Sequence, residues 1–160
     1  MIGPRRRARE IALQILIQMD VSPEQSAATA SRLYFDHLAA EADPDADPDD
    51  PFEPVPAKGV VFDRTLVNDL VGGVAAHRPE IDSILQDLSK KWRLERMALV
   101  DRNVIRLALY ELKFSGDKSA PTNVVLNEAI ELAKRFGSSE GAAFVNGLLD
   151  RAVTELQLRR

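Results

Sequence analysis

From Ala8 to Met19 the apolar side chains Ile11, Ala12, Ile15, Leu16 and Met19 recur every three or four residues, the spacing of one helical stripe. This predicts a first helix beginning near Pro4, whose fixed φ suits a first helical position. Ser22 and Pro23 predict the cap and first turn of a second helix, which reaches about Ala40 on Ala27, Ala28, Ser31, Tyr34, Phe35 and Leu38. Helical periodicity resumes at Val61 and runs through Phe62, Leu66, Leu70, Val71 and Val74. Pro79 opens a helix with Ile81, Ile84, Leu85 and Leu88, and a connection spans Trp92 to Arg96. The next helix, from Met97 to Leu112, is apolar on more than one stripe, as expected where several neighbours contact it. Ser115, Gly116 and Asp117 end it. Pro121 begins a helix with Ala129, Ile130, Ala133 and Phe136 inward, and Gly137 is placed for a left-handed C-terminal residue. Ser138 or Ser139 caps a last helix carrying Phe144, Val145, Leu148, Leu149, Ala152, Val153 and Leu156. With no alternating run to suggest a strand, the expected fold class is all-α, six or seven packed helices.

A chain of 160 residues fits one domain, or two small halves sharing a core. The formal charge of -4 hides an uneven distribution. Residues 41–54 carry Glu41, Asp43, Asp45, Asp47, Asp49, Asp50 and Glu53 without a base, so the remainder is +3. Together with prolines at 44, 48, 51, 54 and 56, this makes residues 41–58 an expected acidic internal loop with too little apolar material to fold alone.

Without cysteine, disulfides, zinc-thiolate sites, iron-sulfur ligation and cysteine catalysis are excluded. His37 and His77 lie in no metal-ligand spacing and read as ordinary polar or interfacial side chains. No membrane-length apolar run or signal-peptide core occurs, so a soluble cytoplasmic protein is expected. Gly72-Gly73 and Gly137 to Gly141 form no phosphate-binding pattern, and no second Glu-x-x-His helix matches Glu128 and Glu131. No enzyme, no cofactor and no metal are therefore expected.

Arg5, Arg6, Arg7 and Arg9, with no acid among residues 1–9, are the strongest candidates for ligand contact. Guanidinium groups at the start of an amphipathic helix can hold phosphates; a solvated basic tail is the other reading. Trp92, beside Lys90, Lys91 and Arg93, could stack on a base, but a helix-end anchor against the core is preferred. Asn127 and Asn146 fall in apolar segments and are expected to join helices as satisfied interior amides.

The segments RRRAREIALQIL (5–16), DRNVIRLALYEL (101–112), PTNVVLNEAIELAKRFG (121–137) and FVNGLLD (144–150) together resemble the transcription antitermination factor NusB family. The resemblance covers nearly the whole chain apart from the acidic segment and the last few residues. It implies an all-helical fold of two packed helical subdomains, with residues 1–160 acting as a single RNA-binding domain. It further implies a non-enzymatic factor that binds boxA-like single-stranded RNA with ribosomal protein S10, within the RNA polymerase antitermination complex, in ribosomal RNA transcription. A general RNA-binding module in ribosome biogenesis, or a protein-interaction scaffold, is the alternative. A related fold precedes certain RNA cytosine methyltransferases, and the chain length leaves no room for their catalytic domain.

Residue by residue, the resemblance puts phosphate contacts on Arg5, Arg6, Arg7 and Arg9. The S10-facing region resembles Asp101, Glu140 and Phe144, with Arg106 facing either RNA or S10. Ile17 stands where the family often has an aromatic residue, which weakens the case for stacking there. Asp101 could instead cap its helix, Glu140 could favour the positive end of the last helix, and Phe144 could be core. Family members include monomers and homodimers, so the resemblance leaves both states open, a homodimer among them.

Overall fold

In the computed structural model, residues 2–40, 61–118 and 120–158 are described; the acidic segment expected as a loop at 41–58 lies outside them. Seven α-helices run in order among the described residues: α1 (Pro4–Val21), α2 (Ala27–Ala40), α3 (Arg64–Ala76), α4 (Arg78–Leu88), α5 (Leu99–Leu109), α6 (Thr122–Phe136) and α7 (Ser139–Glu155). No strand accompanies them among these residues, so the all-α expectation holds. The chain divides into two compact units, Met1–Gly72 and Gly73–Arg160.

In the first unit α1 packs on α2, and the Tyr34 hydroxyl donates to Gln14 Oε1. Pro4 does open α1. The second helix starts later than the Ser22–Pro23 signal suggests. Ser22 N–H donates to Gln18 O at 2.9 Å and so closes α1, while Gln25 N–H returns to Ser22 O at 3.1 Å. Ser26 then supplies the cap, its hydroxyl accepting from Thr29 N–H at 3.2 Å. At the start of α3, Asp63 Oδ1 accepts from Leu66 N–H at 3.0 Å, and Asp63 N–H donates to Pro4 O at 3.3 Å, tying this start to the start of α1.

In the second unit α5 is the central helix, packed against α4, α6 and α7, as its broad apolar face requires. Val104, Ile105, Leu107, Ala108 and Leu109 are all buried. The expected long helix from Met97 to Leu112 is interrupted at both ends. Met97 is extended and precedes α5, and after Leu109 the backbone widens to a π-helical turn over Tyr110–Phe114, with Ser115 N–H donating to Tyr110 O at 3.1 Å. Ser138 caps α7, its hydroxyl accepting from Gly141 N–H at 2.9 Å. Gly137 ends α6 at φ -121°, ψ -138°, not the left-handed conformation expected of it. At the end of α4 the Ser89 N–H donates to Leu85 O at 3.0 Å, and the last carbonyl, on Leu88, accepts from Arg151 Nη1 at 2.6 Å.

Candidate nucleic-acid interface

The first turn of α1 holds Arg5, Arg6 and Arg7 and no acid, with Gly3 as an N-cap that offers no side chain. Cations there oppose the positive end of the helix dipole, an arrangement that an incoming anion relieves. The four arginines do not act alike. Arg5 keeps 54% of its side chain exposed, with Nη1 3.9 Å from Asp63 Oδ2, and Arg6 is half-buried. Arg7 is 3% exposed and its Nη1 donates to Glu10 Oε2 at 2.9 Å; Arg9 is likewise 3% exposed. Arg7 and Arg9 therefore do not present their guanidinium groups to solvent, contrary to the expectation of four surface contacts. The cause is that α1 is buried around most of its circumference from Arg7 to Leu13, so cations one turn in are enclosed and need internal carboxylates.

Arg106 is enclosed more fully. At 2% exposure it donates from Nε to Asp82 Oδ1 at 2.7 Å and from Nη2 to Asp82 Oδ2 at 3.2 Å, a two-point grip. Its Nη1 donates to Asn103 Oδ1 at 3.1 Å, and Asn103 Nδ2 donates to Leu99 O at 2.8 Å. Arg78 Nε also donates to Asp82 Oδ2, at 3.0 Å. Arg106 thus holds α5 to α4, with its guanidinium enclosed between the two helices. A signal was present: an arginine inside the core stripe VIRLALYEL requires a buried carboxylate from another helix.

The other three candidates gather at one end of the second unit. Asp101 lies in the first turn of α5 and Glu140 in the first turn of α7. The Asp101 carboxylate rests on the α7 backbone at Gly141, where a Cβ would stand 2.5 Å from Oδ1 and 2.8 Å from Oδ2. Gly141 is thus required by close approach. Glu140 is exposed, and Phe144, one turn further on the same face, is half-buried. An acid in the open, an acid partly withdrawn from water and an aromatic edge make a surface suited to a basic protein partner.

Burial raises the Asp101 carboxyl above its ordinary value of 3.8. A raised carboxyl favours the folded state while protonated, and that contribution fades as pH rises from the ordinary carboxylate range through the raised value. Asp101→Asn is expected to match the native protein in acid and to gain relative stability as pH rises to neutrality. Urea unfolding at several pH values checks this, and a relative loss on raising the pH would show the charged form to be favoured.

Trp92 is 58% exposed and does not anchor to the core. Gln86 holds its loop instead: Nε2 donates to Trp92 O at 2.9 Å and Oε1 accepts from Leu94 N–H at 3.1 Å. The freed ring lies on a groove of about 530 Å³ shared with Lys90, Lys91, Phe144 and Leu148. Asn127 and Asn146 are exposed, so neither is the interior amide expected; their helices turn the two positions to the polar side. His77 stacks on Phe114 with ring centroids 4.4 Å apart. Among the described residues no group of three His, Cys, Asp or Glu could hold a metal ion, and no helix is long and apolar enough to cross a membrane.

Comparison with known proteins identifies relatives along nearly the whole chain. The chain is 44% identical to the transcription antitermination protein NusB of Myxococcus xanthus, over 97% of this chain and 98% of that protein. It is 40% identical to the protein of that name from Geobacter sulfurreducens, over 97% of each. Among solved structures, T. maritima NusB superposes with a TM-score of 0.71 at 30% identity, covering 97% of this chain and 94% of that one. A structure of the antitermination factors NusB and NusE in complex with dsRNA shares the fold, with a TM-score of 0.70 at 23% identity over 97% of this chain and 99% of the matched one. The model of the NusB family matches residues 6–154, and on that span and these identities the chain belongs to the NusB family.

Proposed function

We propose that this transcription antitermination factor binds boxA-like single-stranded RNA jointly with S10, without catalysis, and supports ribosomal RNA transcription in the cytoplasm as part of an RNA polymerase antitermination complex. The observation that carries the reading is a pair of surfaces of opposite character, one in each unit. Arg5 and Arg6 stand at the positive end of α1, whose first turn holds no acid, while Asp101, Glu140 and Phe144 gather where α5 and α7 begin. The first surface attracts phosphate and the second a cationic protein. A protein of the same fold has been solved with NusE and double-stranded RNA together, which supports a joint assembly. In this reading residues 1–160 work as one RNA-binding domain, Arg5 and Arg6 touch phosphate, and Arg7, Arg9 and Arg106 hold the helices that carry the surfaces.

The test is a titration of labelled boxA-like RNA, and of a scrambled RNA of equal length, with and without S10. S10 is expected to raise boxA affinity by the factor by which RNA raises S10 affinity. Arg5→Ala with Arg6→Ala is expected to weaken binding with and without S10 and to flatten the log–log salt dependence by about 1.4, at roughly 0.7 per lost single-strand phosphate contact. Glu140→Lys is expected to remove the S10-dependent gain while leaving binding to RNA alone. Equal binding of boxA and scrambled RNA with no S10 effect would make the protein a general RNA-binding module, and no binding to either would make it an interaction scaffold.

A further inference from the structure

Besides the α1 terminus, the first unit carries a second cationic feature. A groove of about 510 Å³ opens between the start of α2 and the start of α3, lined by Ser31, Arg32, Phe35, Asp36, Arg64 and Asn68. Arg64 is held by stacking: its guanidinium carbon lies 4.2 Å from the Phe35 ring centroid, and Phe35 in turn stacks on Phe62 at 5.8 Å with rings 7° apart. Phe35 thus covers one side of the Arg64 guanidinium, and no hydrogen bond or ion pair engages Arg64 among the described residues. Arg32, one turn before Asp36 on α2, is exposed and makes no ion pair among the described residues. Against the single acid Asp36, these two arginines leave the groove lining net positive.

The groove also continues from the first basic surface. Asp63, the residue before Arg64, is bonded through its backbone N–H to Pro4 O at 3.3 Å and lies 3.9 Å from Arg5 through its carboxylate. A strand whose phosphates meet Arg5 and Arg6 therefore arrives beside Arg64. We propose that the Arg32–Arg64 groove is a second single-stranded RNA subsite, receiving the nucleotides that flank those bound at the start of α1. It rests on the RNA-binding reading above and adds to it the path of the strand. The chemistry suits one unpaired nucleotide: Arg32 and the edge of Arg64 hold the two phosphates that flank it, the free face of Arg64 stacks its base, and Asn68 and Asp36 meet the base's polar edge. Asp36 accepts only, so the subsite favours a base bearing an amino group over uracil.

The experiment compares a boxA-length RNA with the same RNA extended by about six unpaired nucleotides at either end, a length typical of one single-strand subsite. The full chain is titrated at several salt concentrations. Native protein is expected to bind the extended RNA more tightly. Arg32→Gln with Arg64→Gln is expected to lose roughly tenfold on the extended RNA and to flatten its salt dependence by about 1.4, leaving the short RNA unchanged. Arg64→Lys is expected to keep the salt dependence but lose part of the affinity, because ammonium preserves charge without the stacking plane. Asp36→Asn is expected to relax discrimination against a uridine-only extension. Thermal unfolding of each variant shows whether the fold is intact. An unchanged extended-RNA affinity in the folded double variant overturns the subsite. If Arg5→Ala with Arg6→Ala is silent on both RNAs as well, the RNA-binding reading fails with it. A double variant that alters self-association while binding both RNAs normally assigns the groove to a second copy of the chain, and overturns the proposal.

Discussion

Replacing Arg106 with leucine is expected to destabilise the protein by about 3 kcal/mol. Removing one member of a buried pair leaves the other charge uncompensated, a cost of about 3–5 kcal/mol where both are fully enclosed. Asp82 retains 22% side-chain exposure and keeps Arg78 as a second donor at 3.0 Å, which places the cost toward the lower end. The Asn103 amide oxygen also loses its bond from Arg106 Nη1, in surroundings where Asn103 is 1% exposed. Arg106→Lys preserves the charge, yet one ammonium cannot satisfy both Asp82 oxygens and Asn103 in the fixed geometry of a guanidinium, so most of the loss should persist. Urea unfolding with an unchanged slope measures the loss, and RNA and S10 affinities measured where the variant is still folded separate support from contact. A loss under about 1 kcal/mol, accompanied by weakened RNA or S10 binding, would return Arg106 to the interface.

The helices were legible because each buries a stripe with period near 3.6, and that period survives in the sequence whatever the stripe packs against. Boundaries were less so. Ser22 and Pro23 carry the signature of a helix start, but the Ser22 N–H was already claimed by α1, a competition that residue type does not reveal. The π turn at Tyr110–Phe114 was hidden because the apolar spacing continues through it. For the site, the acidic and aromatic pair Glu140 and Phe144 could be read at four-residue spacing, and Asp101 joins them only through the approach permitted at Gly141. The arginines divided in a way composition cannot express, since a guanidinium is outward or enclosed according to the neighbour of its helix turn. Glu10 three residues after Arg7 was the available sign of an internal pair. The Arg32–Arg64 groove joins residues separated by the acidic segment, so no local pattern announced it.

Gly72 and Gly73 are expected to respond in opposite directions to the same substitution. Alanine in a helix interior is favoured over glycine by about 0.5–1 kcal/mol, because glycine loses more backbone freedom on folding. At Gly72 no atom of the described residues beyond the local helix lies within 4 Å of the position a Cβ would take, so Gly72→Ala is expected to stabilise by about that amount. At Gly73 the Tyr110 ring occupies the position itself. The ring has little room to withdraw: it begins the π turn, and His77, one turn after Gly73, lies against it with centroids 6.1 Å apart. Inserting a methyl there forces α3 or the ring to shift, an overpacking cost of about 1–3 kcal/mol that outweighs the propensity gain. Gly73→Ala should therefore lower the thermal midpoint by several degrees while Gly72→Ala raises it, at roughly 2–4 °C per kcal/mol for a chain of this size. Trimming the ring with Tyr110→Leu, alone and together with Gly73→Ala, separates the two contributions. If the clash is the cause, Gly73→Ala should cost less in the Tyr110→Leu background than beside the native tyrosine. Equal costs in both backgrounds would place the effect in the backbone of α3 and remove Tyr110 from the account.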